Sequence, residues 1–264
     1  MFFMTTFRSA ALFLLCASVG VSTGTVAAQG TQPPAAPPKA STPATSASAS
    51  KVDEVIARNI AAKGGEELLK STQTVMWSGT MTFPTGPLRM TVWVKRPNKK
   101  RTEAERDKEK RIEAFDGTTG WVKMGSLPPQ TVPPGPALEN AKRQSEFDSG
   151  LVGYKERGLS IEMVGTGPVD GVYHLKSTAK DDAVMHFYID AETGLERRTV
   201  TSLPGQRGGA AVLELRLSDY RRVEGRMVPF TVETLIDGKA MSKTQIEKIQ
   251  FNLPIDDAFF QVPK

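Results

Sequence analysis

Apolar and polar positions in this chain follow two different periods, and the first ends near residue 70. Val52, Val55, Ile56 and Ile60 recur at helical spacing. Asp53 and Glu54 stand near the start, where carboxylates suit the positive end of the helix dipole. Gly64-Gly65 interrupts the pattern, and residues 66–69 predict a further short turn of helix. The period then becomes two. Val75, Trp77, Gly79, Met81 and Phe83 share one face of an extended segment, with Met76, Ser78, Thr80 and Thr82 on the other. After a turn at 84–87, Leu88, Met90, Val92 and Val94 alternate with Arg89, Thr91, Trp93 and Lys95, which predicts a hairpin.

Residues 99–111 form a dense charge run, which predicts a solvated edge strand guarded by Lys and Arg against pairing with another sheet. Docking of an anionic partner is the functional alternative, and the edge-strand reading is preferred. Asp116-Gly117-Thr118-Thr119-Gly120 marks a tight strand-turn-strand. Five prolines make residues 127–136 a loop, and residues 137–147 permit a short helix with a thin apolar face of Leu138 and Ala141. Strands are then expected at 161–164, 171–178, 184–189, 195–201, 211–222, 227–236 and 242–251. Gly194 closes one turn at a position suited to positive φ, and Asp237-Gly238 closes another. Met185, Phe187 and Ile189 share a face, as do Leu213, Leu215 and Leu217. The expected fold is mainly β, within the α+β class: a large curved antiparallel sheet, an incomplete barrel, covered by a few helices.

The N-terminus changes where this domain is expected to work. Arg8, an apolar run over residues 10–21 and the small residues Val26-Ala27-Ala28 read as an export signal, residues 1–28, cut after Ala28. Cleavage at Cys16 with lipid attachment is disfavoured because Leu15 stands where that processing needs a small residue. Cys16 is the only cysteine, so the mature chain is expected to hold neither disulfide nor thiol nucleophile. Residues 29–50, rich in Pro, Ser and Ala, read as a disordered linker, and residues 51–264 as one β-rich domain. No second apolar stretch is long enough for a membrane helix, so no transmembrane segment is expected in the mature chain. The formal charge of +5, less one with Arg8, is mildly basic and is not the footprint of a nucleic-acid binder.

Candidate chemistry is sparse. His174 and His186 lie on expected strands without a short-spaced second metal ligand, and read as structural. No nucleophile elbow, phosphate loop or dinucleotide fingerprint occurs. Asp181-Asp182 and Asp256-Asp257 read as turn residues, and residues 205–209 as a mobile hairpin loop or a cavity rim. No catalytic residue, metal site or cofactor is expected. The aromatic and methionine residues are core on their own evidence, with a cavity lining as the functional alternative.

The order of several motifs resembles the outer-membrane lipoprotein-sorting family, the LolA-like proteins. They include the early helix with Gly64-Gly65, then Lys95-Arg96-Pro97-Asn98 and Phe115-Asp116-Gly117-Thr118-Thr119-Gly120-Trp121. Tyr188-Ile189-Asp190-Ala191-Glu192-Thr193-Gly194-Leu195, Ser218-Asp219-Tyr220-Arg221 and the ending Asn252-Leu253-Pro254-Ile255-Asp256 agree with it. The resemblance implies a divergent, non-enzymatic periplasmic binding or carrier protein that encloses the acyl chains of a lipid or lipidated protein in a hydrophobic cavity. Expected lining residues are Val75, Trp77, Met81, Phe83, Met90, Val92, Trp121, Met185, Phe187, Leu213 and Leu215. It also implies an arginine that holds a helical lid closed, as in the lipoprotein carrier itself; no arginine here is assigned that part from the sequence. The alternative is a sensory or regulatory module of the same fold acting through an envelope protein partner. A hydrolase of an envelope polymer is disfavoured by the poor supply of nucleophiles and bases.

Overall fold

The computed structural model describes residues 44–148, 150–204 and 210–263; the expected export signal, the linker up to residue 43 and the loop at 205–209 lie outside the described residues. Helices α1 (Ala44–Lys63) and α2 (Glu66–Lys70) come first. Strands β1 (Thr74–Phe83), β2 (Gly86–Lys95), β3 (Lys99–Arg106), β4 (Glu109–Phe115), β5 (Gly120–Met124) and β6 (Gln130–Thr131) follow. After α3 (Pro136–Gln144) come β7 (Ser160–Met163), β8 (Val172–Thr178), β9 (Val184–Asp190), β10 (Glu196–Pro204), β11 (Ala210–Val223), β12 (Arg226–Ile236) and β13 (Lys239–Phe251). A 3-10 turn, Asp257–Phe260, ends the fold.

The 13 strands among the described residues join one antiparallel sheet in the order β6-β5-β4-β3-β2-β1-β13-β12-β11-β10-β9-β8-β7. The first six form a meander running outward from β1, the last seven form another, and the pairing of β1 with β13 joins them. So wide an open sheet curls as its twist accumulates. The result is an incomplete barrel with a few helices, as the alternation predicts.

Directly paired residues share a face, so the register identifies the inner side. Val92, Trp77 and Ile249 lie in one row, Met90, Gly79 and Ile246 in the next, and Met81, Thr244, Val232 and Leu217 in the one after. Leu213, Thr201, Met185 and Ser177 continue that face towards β8. A buried cluster of Trp77, Met81, Val92, Leu213, Leu215, Phe230, Val232 and Ile246 spans the five neighbouring strands from β2 to β11. Each such side chain removed from water stabilises the fold by about 1.5–3 kcal/mol. Two bulges in β13, at Glu247 opposite Ser78 and Gly79 and at Met241 opposite Thr234 and Leu235, help the sheet bend. Gly79 is needed there, since a Cβ would stand 2.2 Å from the Gln245 carbonyl oxygen.

Three details depart from the sequence expectations. The charged strand β3 is not an edge, because it pairs with β2 on one side and β4 on the other. Its charges are absorbed laterally: Glu103 pairs with Arg101 at 2.7 Å and with Lys110 at 2.6 Å. The proline-rich stretch contains the two-residue strand β6, the true edge on that side. Helix α1 begins at Ala44, inside the stretch expected to be disordered linker. Ala44, Ala47 and Ala49 follow the last proline of that tract and favour helix.

Helix α1 covers the inner face at the β7–β9 end, where Val52, Val55 and Ile56 pack with Leu151, Leu175, Phe187 and Ile189. The turn after β9 places it. Asn59 Nδ2 donates to the Gly194 carbonyl at 2.8 Å, Arg58 donates to the Glu192 carbonyl at 2.6 Å, and Lys63 pairs with Glu196 at 2.9 Å. Gly194 has φ of 75°, and a Cβ on it would lie 3.1 Å from the Arg58 carbonyl oxygen.

Asp190 organises that turn by accepting from the Thr193 N–H at 2.6 Å, the Thr193 hydroxyl at 2.8 Å and the Arg197 guanidinium at 2.7 Å. Hydrogen bonds from Thr193, then Arg197, hold its carboxyl well below the usual range, at about 2. A depressed carboxylate stabilises the fold fully above its ordinary value and loses that contribution as pH falls through about 2. The Asp190 side chain is 9% exposed but Arg197 is 58% exposed, so solvent screens part of the pairing. Asp190→Asn is therefore expected to cost about 1–2 kcal/mol at neutral pH and only about a third of that near pH 2.5. Urea unfolding of both proteins at the two pH values checks this, and a cost independent of pH would rule out the charge as its source.

Candidate functional site

The inner face gathers ten of the eleven residues expected to line a cavity. Trp77, Met81 and Val92 are buried there with Leu213 and Leu215, and Phe83 and Met90 pack against them. Phe187 and Met185 continue the face under α1. Val75, paired with Val94 and Phe251, lies on the same side. Trp121 does not. It falls in the row Met76, Trp93, Arg101, Ala114, Trp121, which lies on the outer face. There it is 1% exposed, and its indole N–H donates to the Phe260 carbonyl at 2.8 Å. Phe259 contacts Trp93 edge-on, and Arg101 lies 4.4 Å over the Phe259 ring. Trp121 is thus the anchor for the C-terminal turn.

Side chains fill the middle of the inner face, with Met81 and Val232 1% and 0% exposed. A concavity of about 440 Å³ lies instead beside α1, bordered by Ile56, Ile60, Gly65, Glu66, Leu151 and Tyr154. None of the eleven expected lining residues borders it. Exposed polar pairs edge this groove: Lys155 meets Asp53 at 3.0 Å, and Lys70 meets Glu66 at 2.7 Å and Glu156 at 3.3 Å. A second hollow, of about 250 Å³, crosses β1–β3 among Ser78, Thr91, Glu103 and Lys110.

Helix α2 buries none of its residues, and two arginines fasten its C-terminal end. Arg96 donates to the Thr72 carbonyl at 2.6 Å and the Leu69 carbonyl at 3.4 Å, and pairs with Asp148. Its guanidinium also lies 4.3 Å over the Phe147 ring. Arg226 reaches the Thr72 hydroxyl at 2.8 Å and the Leu68 carbonyl at 3.3 Å, while lying 4.3 Å over Phe251. The exposed carbonyls at a helix C-terminus attract cations, so these contacts are favourable yet local. Arg157 donates to the carbonyls of Asp148 and, at 2.8 Å, Gly150, which ties Asp148 and Gly150 to the same clasp. Arg96 stands in the Lys95-Arg96-Pro97-Asn98 motif, but the sequence does not show that its targets are carbonyls at and just beyond the C-terminal end of α2.

His174 and His186 form another arrangement that the sequence does not reveal. On the outer face His174 Nε2 and His186 Nδ1 are 2.8 Å apart, and His174 stacks on Tyr188 with ring centroids 4.3 Å apart. Burial lowers both imidazoles below their ordinary values; His186 and Arg198 further lower His174, and Lys176 further lowers His186. Among the described residues no cluster of three metal-ligating side chains includes them. Asp256 caps the final turn through the Ala258 N–H at 2.7 Å, whereas Asp257 pairs with Lys95 at 2.8 Å and Lys99 at 2.7 Å.

An open antiparallel barrel with a helical cover over its inner face is the architecture of the LolA-like proteins. The likeness is measurable among solved structures. A LolA superfamily protein from Nitrosomonas europaea has a TM-score of 0.52 at 11% identity, over 79% of this chain and 96% of that one. A DUF1329 family protein from Desulfovibrio piger has a TM-score of 0.52 at 11% identity, over 80% and 97%. No family model matches the sequence, and no curated protein matches it. At these identities the likeness is one of fold, and the fold is the one the motifs imply.

Proposed function

We propose that this protein is a periplasmic, non-enzymatic carrier that encloses the acyl chains of a lipid or lipidated protein against its inner face. One observation carries the reading: a largely apolar face across five strands lies in an open barrel, with α1 packed over one end of that face and α2 fastened by arginine-to-carbonyl hydrogen bonds. Acyl chains leaving water for such a face gain about 0.8 kcal/mol per CH₂. Polar bonds at the edge can exchange for water, so release need not disrupt the core. Among the described residues no helix is long and apolar enough to cross a membrane. The export signal at residues 1–28 would place the protein in the periplasm.

A second reading, in which the fold contacts an envelope protein partner as a sensor or regulator, draws support from the filled inner face and the groove beside α1. Native mass spectrometry of periplasmic protein, followed by extraction and lipid analysis, tests the first. The expected result is one acyl-bearing molecule per chain. Ligand-free protein that also refuses added lipids and lipopeptides would overturn the carrier reading and favour the partner reading.

A further inference from the structure

The inner face has a polar spot at its centre. Thr234 on β12 is paired directly with Ser242 on β13, and Thr244 follows two residues along the same face. Thr234 and Thr244 are 0% exposed and Ser242 is 7% exposed. Their three hydroxyl oxygens are buried and have no hydrogen-bond partner among the described residues.

Several other buried hydroxyls in this fold find backbone carbonyls. Thr201 donates to Val184 at 2.8 Å, Thr74 to Leu253 at 2.9 Å, and Ser145 to Ala141 at 2.7 Å. A buried hydroxyl without a partner is unfavourable, and three of them on adjacent strands are unusual in a native core. Opposite β-strand residues have Cβ atoms about 5 Å apart, close enough for two hydroxyls to address one oxygen.

The surroundings narrow the chemistry of the occupant. Met81 is paired with Thr244, and Leu215 with Thr234; Val232, Leu213 and Ile246 complete the apolar rim. None of these positions carries a charge. A carboxylate or phosphate brought here would be buried without a counter-ion, whereas an ester carbonyl needs only donors.

We infer that Thr234, Ser242 and Thr244 anchor the carbonyl end of a neutral acyl ester whose hydrocarbon lies along the inner face. This rests on the acyl-binding reading above and adds to it the chemical class of the polar end. Hydroxyl groups donate to the ester oxygen, and the chain runs over Trp77, Met81 and Leu215.

The test compares wild type with the T234V/S242A/T244V variant, both delipidated. Methyl palmitate and hexadecane are supplied from cyclodextrin, and each displaces N-phenylnaphthylamine from the protein. Because the substitutions remove unpartnered hydroxyls at nearly constant shape, the variant is expected to melt no lower than wild type. It should bind methyl palmitate roughly tenfold more weakly and hexadecane unchanged. If ester affinity is unchanged, or both ligands weaken equally, the anchor is overturned while acyl binding stands. If wild type binds neither ligand, acyl binding itself fails and the anchor with it. Should the triple variant not fold, Thr234→Val alone is measured in the same way.

Discussion

Aspartate in place of Met81 is expected to cost more than about 4 kcal/mol, enough to unfold a domain of ordinary stability. Met81 is 1% exposed and packed among side chains from five strands, where a carboxylate finds neither water nor a cation. Thr82→Asp, one residue along and exposed on the outer face, should change stability by no more than about 0.5 kcal/mol. Chemical denaturation of the two variants checks the contrast. Near-equal tolerance of both would mean that the ligand-free inner face is wet rather than packed.

Removing the Arg96 clasp should have the next largest effect. Arg96→Ala leaves the Thr72 and Leu69 carbonyls and the Asp148 carboxylate without this partner, at an expected cost of about 3 kcal/mol. The loss should be local, with amide exchange accelerating over α2 and residues 145–158 and little changed in the centre of the sheet. Lysine at the same position keeps the charge but not the planar fork, so Arg96→Lys should fall between the two. Hydrogen exchange resolved by mass spectrometry reads this directly. Unchanged protection at α2 in the alanine variant would show that other contacts hold this helix, and the release mechanism proposed here would fail.

Much of this architecture is legible in the sequence because strand alternation and turn chemistry are local. The alternation of Val75 to Phe83 with Leu88 to Val94 predicts β1 and β2, and their pairing follows from the turn between them. Whether a strand lies at an edge is not local. The charges of β3 read as a solvated edge, yet Glu103 finds Arg101 and Lys110 across adjacent positions, and the strand sits inside the sheet. Face assignment fails in the same way at Trp121. Composition there matches that of Trp77, but the register inherited through β3 and β4 turns it outward, under Phe260. His174 and His186 meet only because the β8–β9 register sets Lys176 opposite His186 and His174 opposite Tyr188. The triad of hydroxyls is still less visible, since Thr and Ser in a strand read as polar positions until a bulge and a register place them inward.

The two ends of the sheet carry a further implication. In a closed barrel every strand is bonded on both sides, so circumference is fixed by the ladder and the lumen cannot widen without breaking hydrogen bonds. Here the terminal strands are β6, two residues long, and β7, four residues long, and among the described residues no ladder joins them. That seam allows the bore to adjust by a change of curvature alone, so cargoes of different girth could be accommodated while the whole hydrogen-bond network is kept.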